Sequence, residues 1–319
     1  MKSLFVYFGA PRTWIAIGII TAACFLGARY SVHHSSENVF MNLYMHLVPA
    51  PLVEDPHHEG SHALLEVPLP SWLAFMDYRG HDHEGAPRTA LFNLQIFQVA
   101  AVLLILVCFA GVPRHLRTGR GDPLTRLAAG FAHWIRDEMV RPVMGKELGA
   151  KFLPYFLAVF FFVLFMNLLG LVPHSATATA SIFVTGAMAL TTFGAMMVCG
   201  MVVQGPIAFW KNLVPHVPLA LWPLMFIVEL VGLVVKPVAL TIRLFANMTG
   251  GHMVVLSFMG LIFFMGQLWG AAGAWGASPL SLAFACFIMI IESFVALVQA
   301  FVFTQLSILF VNASVHPEH

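Results

Sequence analysis

Long apolar runs separated by short polar connections dominate this sequence. A hydrocarbon core about 30 Å thick takes roughly 20 apolar residues per helix. Leu91–Val112, Phe152–Val172 and Ser181–Val203 fit one crossing each. Leu219–Gly266 and Pro279–Val311 are longer, so they must tilt, bend or extend past the bilayer. Between them, Gln267–Ser278 is rich in Gly and Ala and predicts the connection of a hairpin. Another connection is expected over Gln204–Pro218, and a short polar loop over Pro173–Ala180. Ahead of Phe152, Leu124, Leu127, Ala128, Phe131 and Trp134–Ile135 recur at helical spacing with polar residues between them. Pro123–Val140 therefore predicts an amphipathic helix lying in the membrane interface. The pattern as a whole predicts an all-α membrane protein. It has five spanning helices after residue 90, the interfacial helix, and a long tilted helical hairpin at the end.

The first apolar run, Trp14–Ala28, is short and follows a sparsely basic start with Lys2 and Arg12. It suits a signal peptide or an N-terminal anchor. The chain thus divides into residues 1–30 (signal peptide or anchor), 31–90 (an outer segment rich in His and acids) and 91–319 (the membrane domain).

Composition agrees with this division. Hydrophobic residues make up 59% of the 319 and charged ones only 10%, against roughly 25% charged in soluble domains. Net charge is +1, but eight of the 16 basic residues fall between Arg114 and Lys151. Eight of the 15 acidic residues fall between Glu37 and Glu84. By the positive-inside rule segment 111–151 and the C-terminus are cytoplasmic and segment 31–90 is outside. Cys24, Cys108, Cys199 and Cys286 lie far apart in apolar stretches and are expected to be buried thiols. In the outer segment His57, His58, His62, His81 and His83 fit no fixed ligand template, and a solvated loop accounts for them. A membrane metalloenzyme built on that cluster is a separate reading, which metal analysis of the purified protein would test. Neither a Walker-type loop nor a Rossmann glycine pattern is present.

Candidate chemistry lies where lipid should be. Between Leu171 and Ala313 the only charged residues are Lys211, Glu229, Lys236, Arg243 and Glu292, and all but Lys211 fall in predicted spans. A central Arg costs at least about 2.5–3.5 kcal/mol to insert, so such residues face a partner or a water-filled cavity. At about 100° per residue Glu229, Lys236, Arg243 and Asn247 share one stripe; His252 points about 140° away from Asn247. On the last helix Glu292 and Gln299, seven apart, share a face that Phe303 continues. Residues opposed in an antiparallel pair have nearly constant index sums, and the pairs His252/Glu292 and Arg243/Gln299 meet that condition. Their midpoint is near residue 271–272. Two polar layers follow, His252 with Glu292 on the outer side and Arg243 with Gln299 deeper. Buried ion pairing, for example Glu229 with Lys236, is the structural alternative. A His beside a Glu can exchange a proton near neutral pH. An Arg cannot give up its proton, so it blocks protons and attracts a carboxylate.

The stretch Lys236–His252 (KPVALTIRLFANMTGGH) resembles the signature of the ATP synthase subunit a family. Phe161–Pro173 (FFVLFMNLLGLVP, with Asn167 and Pro173), Arg136-Asp137-Glu138 and Leu297–Gln299 also fit, so the resemblance covers about residues 91–311 in order. It implies a non-catalytic proton-channel subunit of an F-type ATP synthase in the cell inner membrane. Arg243 would be the stator arginine separating two half-channels, with Asn247 beside it at the rotor face and Gln299 supporting it. His252 and Glu292 would be the acid/base pair of the outer half-channel, and Glu229 the acid of the cytoplasmic one. Asn167 would be structural or channel-lining. Implied partners are rotor-ring c subunits, peripheral-stalk b subunits, the other synthase subunits and the lipid bilayer, with no nucleic acid, cofactor or metal. A free-standing proton or cation channel would use the same polar layers without a rotor, and sodium-coupled relatives exist. The long outer segment and the extra hydrophobic N-terminus depart from the usual short pattern of the family.

Overall fold

The computed structural model describes residues 11–30, 49–53, 63, 65–68, 70, 88–119, 121–172, 175, 177–213, 218 and 221–315. Its helices are α1 (Pro11–Tyr30), α2 (Asn93–Phe109), α3 (Val112–Thr118), α4 (Pro123–Trp134), α5 (Arg141–Gly170), α6 (Ile182–Gln204), α7 (Pro206–Asn212) and α8 (Trp222–Val315). Among the described residues five helical stretches are long and apolar enough to cross a membrane, those of α1, α2–α3, α4–α5, α6 and α8. The last is 94 residues long and consists of two arms, because Gly270 leaves helical geometry at φ 68°, ψ −159°. Stacking of Phe258 on Phe284, centroids 5.2 Å apart, shows the arms running back along each other. The long helical hairpin at the chain's end is therefore present. Its connection is much shorter than the predicted Gln267–Ser278, since helix continues on both sides of Gly270. Ala and most of the glycines there keep helical geometry, and the break falls at Gly270, which takes the positive φ that glycine permits. The predicted Gln204–Pro218 connection likewise contains the helical turn of α7.

The interfacial helix also outlasts its predicted end at Val140. From Trp134 it continues through a π-helical turn, Ile135–Val140, and changes direction only at Gly145, φ 73°. A fork of hydrogen bonds secures that turn. Arg136 donates from Nε and Nη2 to the two carboxylate oxygens of Asp137 (2.9 and 2.8 Å), and Arg141 Nη1 adds a third at 2.6 Å. These bonds, led by the one from Arg136, hold the Asp137 carboxyl below its ordinary range. Thr125, Ala128, Ala129, Ile135 and Met139 face inward, while Arg126, Leu127 and Trp134 lie on the exposed side.

α5 is the axis of the bundle. One side packs Phe156, Phe160 and Val163 against Leu240, Leu244, Phe303 and Ile308 of α8 and Ala189 and Met196 of α6. The other contributes Met166 and Leu169 to a cluster with Ala23 of α1 and Phe97 and Ala101 of α2. Lipid is as apolar as these side chains, so close packing rather than escape from water holds the helices together, and small residues let them approach. Gly27 shows this: a Cβ there would lie 3.2 Å from the Phe97 ring. α1 is also tied by polar bonds. Arg12 Nη1 donates to Thr125 Oγ1 (2.8 Å) and Arg12 Nε lies 3.6 Å from Asp122. At its other end the Tyr30 carbonyl accepts from the Val53 amide at 3.0 Å.

Two short strands, β1 (Glu66–Pro68) and β2 (Arg88–Ala90), pair antiparallel before α2 begins. Gln95 then reaches back to accept the Phe92 amide at 2.6 Å, closing the first turn of α2. The His cluster of the outer segment lies outside the described residues. One sequence expectation needs correction: of the four free thiols only Cys108 is buried, Cys24 and Cys199 are half-buried, and Cys286 is exposed. Cys286 sits on the second arm beside the exposed Phe287.

The backbone at Gly270 occupies a region essentially reserved for glycine, which costs other residues about 1–3 kcal/mol. Gly270→Val is expected to lower the thermal unfolding temperature of the detergent-solubilised protein. Gly276→Ala, where an added Cβ meets open space, is expected to leave it unchanged.

Candidate functional site

The polar site forms where the C-terminal end of α5, the loop after it and both arms of α8 converge. α5 delivers the Gly170 carbonyl, the loop Thr177, the first arm His252 and the second Glu292. His252 Nδ1 lies 2.5 Å from Glu292 Oε1 and 3.1 Å from the Met248 carbonyl. Its Nε2 lies 2.8 Å from Thr177 Oγ1 and 3.0 Å from the Gly170 carbonyl. Glu292 is only 4% exposed, and the imidazole is mostly enclosed. A polar group this deep is tolerable only with partners, and all four atoms around the ring supply them.

Two glycines make the approach possible. A Cβ on Gly251 would stand 2.6 Å from Glu292 Oε1, and one on Gly170 would stand 2.8 Å from Thr177 Cγ2. The glycine before His252 thus clears the space that the Glu292 carboxylate uses to reach the ring. Asn167, fully buried one turn before Gly170, donates from Nδ2 to the Ala296 carbonyl at 3.4 Å. That bond fixes the second arm between Glu292 and Gln299.

The other sequence-derived residues divide by exposure. Arg243 and Asn247 are exposed on the first arm, and Arg243 has no hydrogen bond or ion pair among the described residues. Gln299 is 7% exposed and is not hydrogen-bonded to Arg243, although the two share a register level. Glu229 and Lys236 are half-buried and form no ion pair with each other among the described residues. Lys236 instead places its ammonium 5.7 Å from the centroid of the Phe310 ring. Beside it a second polar series joins three helices: the Tyr155 hydroxyl reaches Thr192 Oγ1 at 3.5 Å, and Thr192 meets Ser307 Oγ at 3.2 Å.

Sequence reasoning missed Thr177, the Gly170 carbonyl and Gly251. Thr177 lay in a segment recognised only as a short polar loop, and nothing local marks which of its hydroxyls turns inward. Gly251 carried one usable signal: a glycine next to a candidate histidine, opposite a candidate acid in the hairpin register, marks a close approach.

A family model for the ATP synthase A chain matches residues 94–312. The chain belongs to the ATP synthase A chain family. Within that family it is similar to ATP synthase subunit a of Myxococcus xanthus (strain DK1622). The two are 47% identical over 229 residues, 69% of this chain and 71% of the relative. It is also similar to subunit a of Anaeromyxobacter sp. (strain Fw109-5), 40% identical over 220 residues, and of Pelodictyon phaeoclathratiforme (strain DSM 5477 / BU-1), 41% over 229. These matches cover 68% and 71% of this chain but 52% and 65% of those relatives. The matched region of this A-chain family member holds the whole polar site. α1 and the outer segment precede it.

Crowding at Gly251 provides a direct test of the site's packing. Gly251→Ala is expected to destabilise the protein by about 1–3 kcal/mol, as overpacking does. Adding Glu292→Asp, which withdraws the carboxylate by one methylene, is expected to restore part of that loss. Thermal unfolding of both single variants and the double variant measures the coupling.

Proposed function

We propose that this chain is the proton-translocating stator subunit of a rotary F-type ATP synthase, loading and unloading carboxylates carried by a rotor ring of c subunits. The observation that carries this reading is the division of polar groups on α8. The His252–Glu292 pair is enclosed by its own chain, whereas Arg243 stands exposed beside Asn247, with no hydrogen bond or ion pair among the described residues. An arginine at bilayer depth is too costly to leave to lipid. A passing rotor carboxylate satisfies it, and its permanent charge keeps protons from slipping straight between the two half-channels. The relatives' shared name, ATP synthase subunit a, supports the same assignment.

In this reading protons enter from the outer side through His252 and Glu292, reach the rotor acid, and leave past Glu229 to the cytoplasm after the ring has turned. Gln299, buried at the level of Arg243, supports the guanidinium from the second arm once the ring is in place. Tyr155, Thr192 and Ser307 hold the helices together near Lys236. Residues 91–319 form the membrane domain, residues 31–90 lie outside the inner membrane, and segment 111–151 and the C-terminus are cytoplasmic, as the charge distribution favours. Peripheral-stalk b subunits hold the chain against the turning ring. ATP formation belongs to other subunits, because no nucleotide motif occurs in this sequence.

Two variants test this. In vesicles carrying the complete complex, Arg243→Ala is expected to abolish proton-driven ATP synthesis while the complex stays assembled. Retained synthesis would overturn the proposal. Glu292→Gln is expected to slow proton uptake at least about tenfold, the low end of what a positioned acid/base contributes being about a hundredfold. A wild-type uptake rate would remove Glu292 from the path.

A further inference from the structure

Each nitrogen of the His252 ring meets two groups, and the two sides match. At Nδ1 stand the Met248 carbonyl (3.1 Å) and the Glu292 carboxyl (2.5 Å). At Nε2 stand the Gly170 carbonyl (3.0 Å) and the Thr177 hydroxyl (2.8 Å). A backbone carbonyl can only accept a hydrogen bond, while a hydroxyl donates or accepts and a carboxyl does either according to its protonation. Each nitrogen therefore has one fixed acceptor and one partner able to change role. The two carbonyls together satisfy a ring that carries a proton on both nitrogens. The two adaptable groups satisfy it when either proton is gone.

We infer that the Thr177 hydroxyl is a proton relay between the outer loop and Nε2 of His252, a role that rests on reading His252 and Glu292 as the outer proton path. Thr177 is only 4% exposed, yet it belongs to the loop joining α5 to α6 rather than to a spanning helix. Its hydroxyl also lies 3.3 Å from the Gly170 carbonyl, so it has somewhere to donate whenever Nε2–H donates to it. In the inward step Thr177 Oγ1 takes a proton from a hydronium ion on the outer side, which leaves as water, and gives its own to the lone pair on Nε2. Two O–H bonds break, one in the hydronium and one in the hydroxyl, while one O–H bond and one N–H bond form. The threonine is unchanged, and the positive charge rests on the imidazolium beside the Glu292 carboxylate. Transfer of the Nδ1 proton to Oε1 then neutralises both. Gly170 belongs to the same device, since any side chain there would push against Thr177 Cγ2.

The test compares Thr177→Val, Thr177→Ala and Thr177→Ser with wild type and Glu292→Gln, using complete complexes in vesicles and proton uptake per assembled complex after a pH jump. Thr177→Val and Thr177→Ala remove the hydroxyl and are expected to slow uptake at least about tenfold; whichever of the two assembles suffices. Thr177→Ser restores the hydroxyl without the methyl group and is expected to return uptake to within about threefold of wild type. Equal slowing in Thr177→Ser and Thr177→Val would mean that the methyl packing matters and the relay does not, which overturns the inference. Wild-type uptake without the hydroxyl, alongside slow uptake in Glu292→Gln, would overturn the relay and leave the outer path standing. Wild-type uptake in both would overturn the path and the relay together.

Discussion

A polar group at bilayer depth has no water to turn to, and this single constraint organises the molecule. Every backbone amide there must be bonded within a helix, and every charged or hydroxylated side chain must find a partner in its own chain, in another chain or in a cavity. The described residues show two of these outcomes. Thr177, His252, Glu292 and the Gly170 and Met248 carbonyls satisfy one another in a closed set. Arg243 has no such set and stands at an exposed face.

The closed set depends on backbone features that contain no polar atoms of interest. Gly270 reverses α8 and so fixes which residue of one arm opposes which of the other. Gly251 and Gly170 remove the side chains that would hold Glu292 and Thr177 away. Asn167 anchors the second arm through the Ala296 carbonyl, one turn from Glu292. Shifting the register of the arms by a single residue would turn Glu292 about 100° around its helix and separate it from His252. The chemistry is thus set by three glycines, which contribute the absence of a side chain, and by the Asn167 amide that anchors the second arm.

That explains which parts were legible in the sequence. Apolar run length located the long helices, because bilayer thickness imposes it, but α5 and the second arm begin well before the predicted Phe152 and Pro279, at the breaks at Gly145 and Gly270. The pairing of His252 with Glu292 was visible because antiparallel arms keep a constant index sum, and the reversal at Gly270 falls within two residues of the expected midpoint. The same arithmetic placed Gln299 at the level of Arg243 but gave no hydrogen bond, since register fixes height along the arms and not the direction of each side chain. The end of the interfacial helix was misjudged because the Arg136–Asp137–Arg141 fork sustains a π-helical turn that periodicity does not reveal. Thr177 was not visible at all: a loop hydroxyl acquires its partner only when distant helices close around it.

The contrast between the two polar layers bears on how such a protein can be built. A site that only binds or passes protons within one chain gains by enclosing all its charges, as the His252 layer does. A site that must engage a moving carboxylate has to keep its cation accessible, and it gives up intrachain pairing to do so. Pairing Arg243 with an acid on its own hairpin would lower the cost of inserting it, yet would also occupy the charge that the proposed mechanism needs for the rotor. The first arm carries no acid within one turn of Arg243, and Glu292 on the second arm is committed to His252. The unpaired arginine is then a cost the fold carries alone and that assembly with a partner surface removes, so insertion energy itself favours the complex over the free chain.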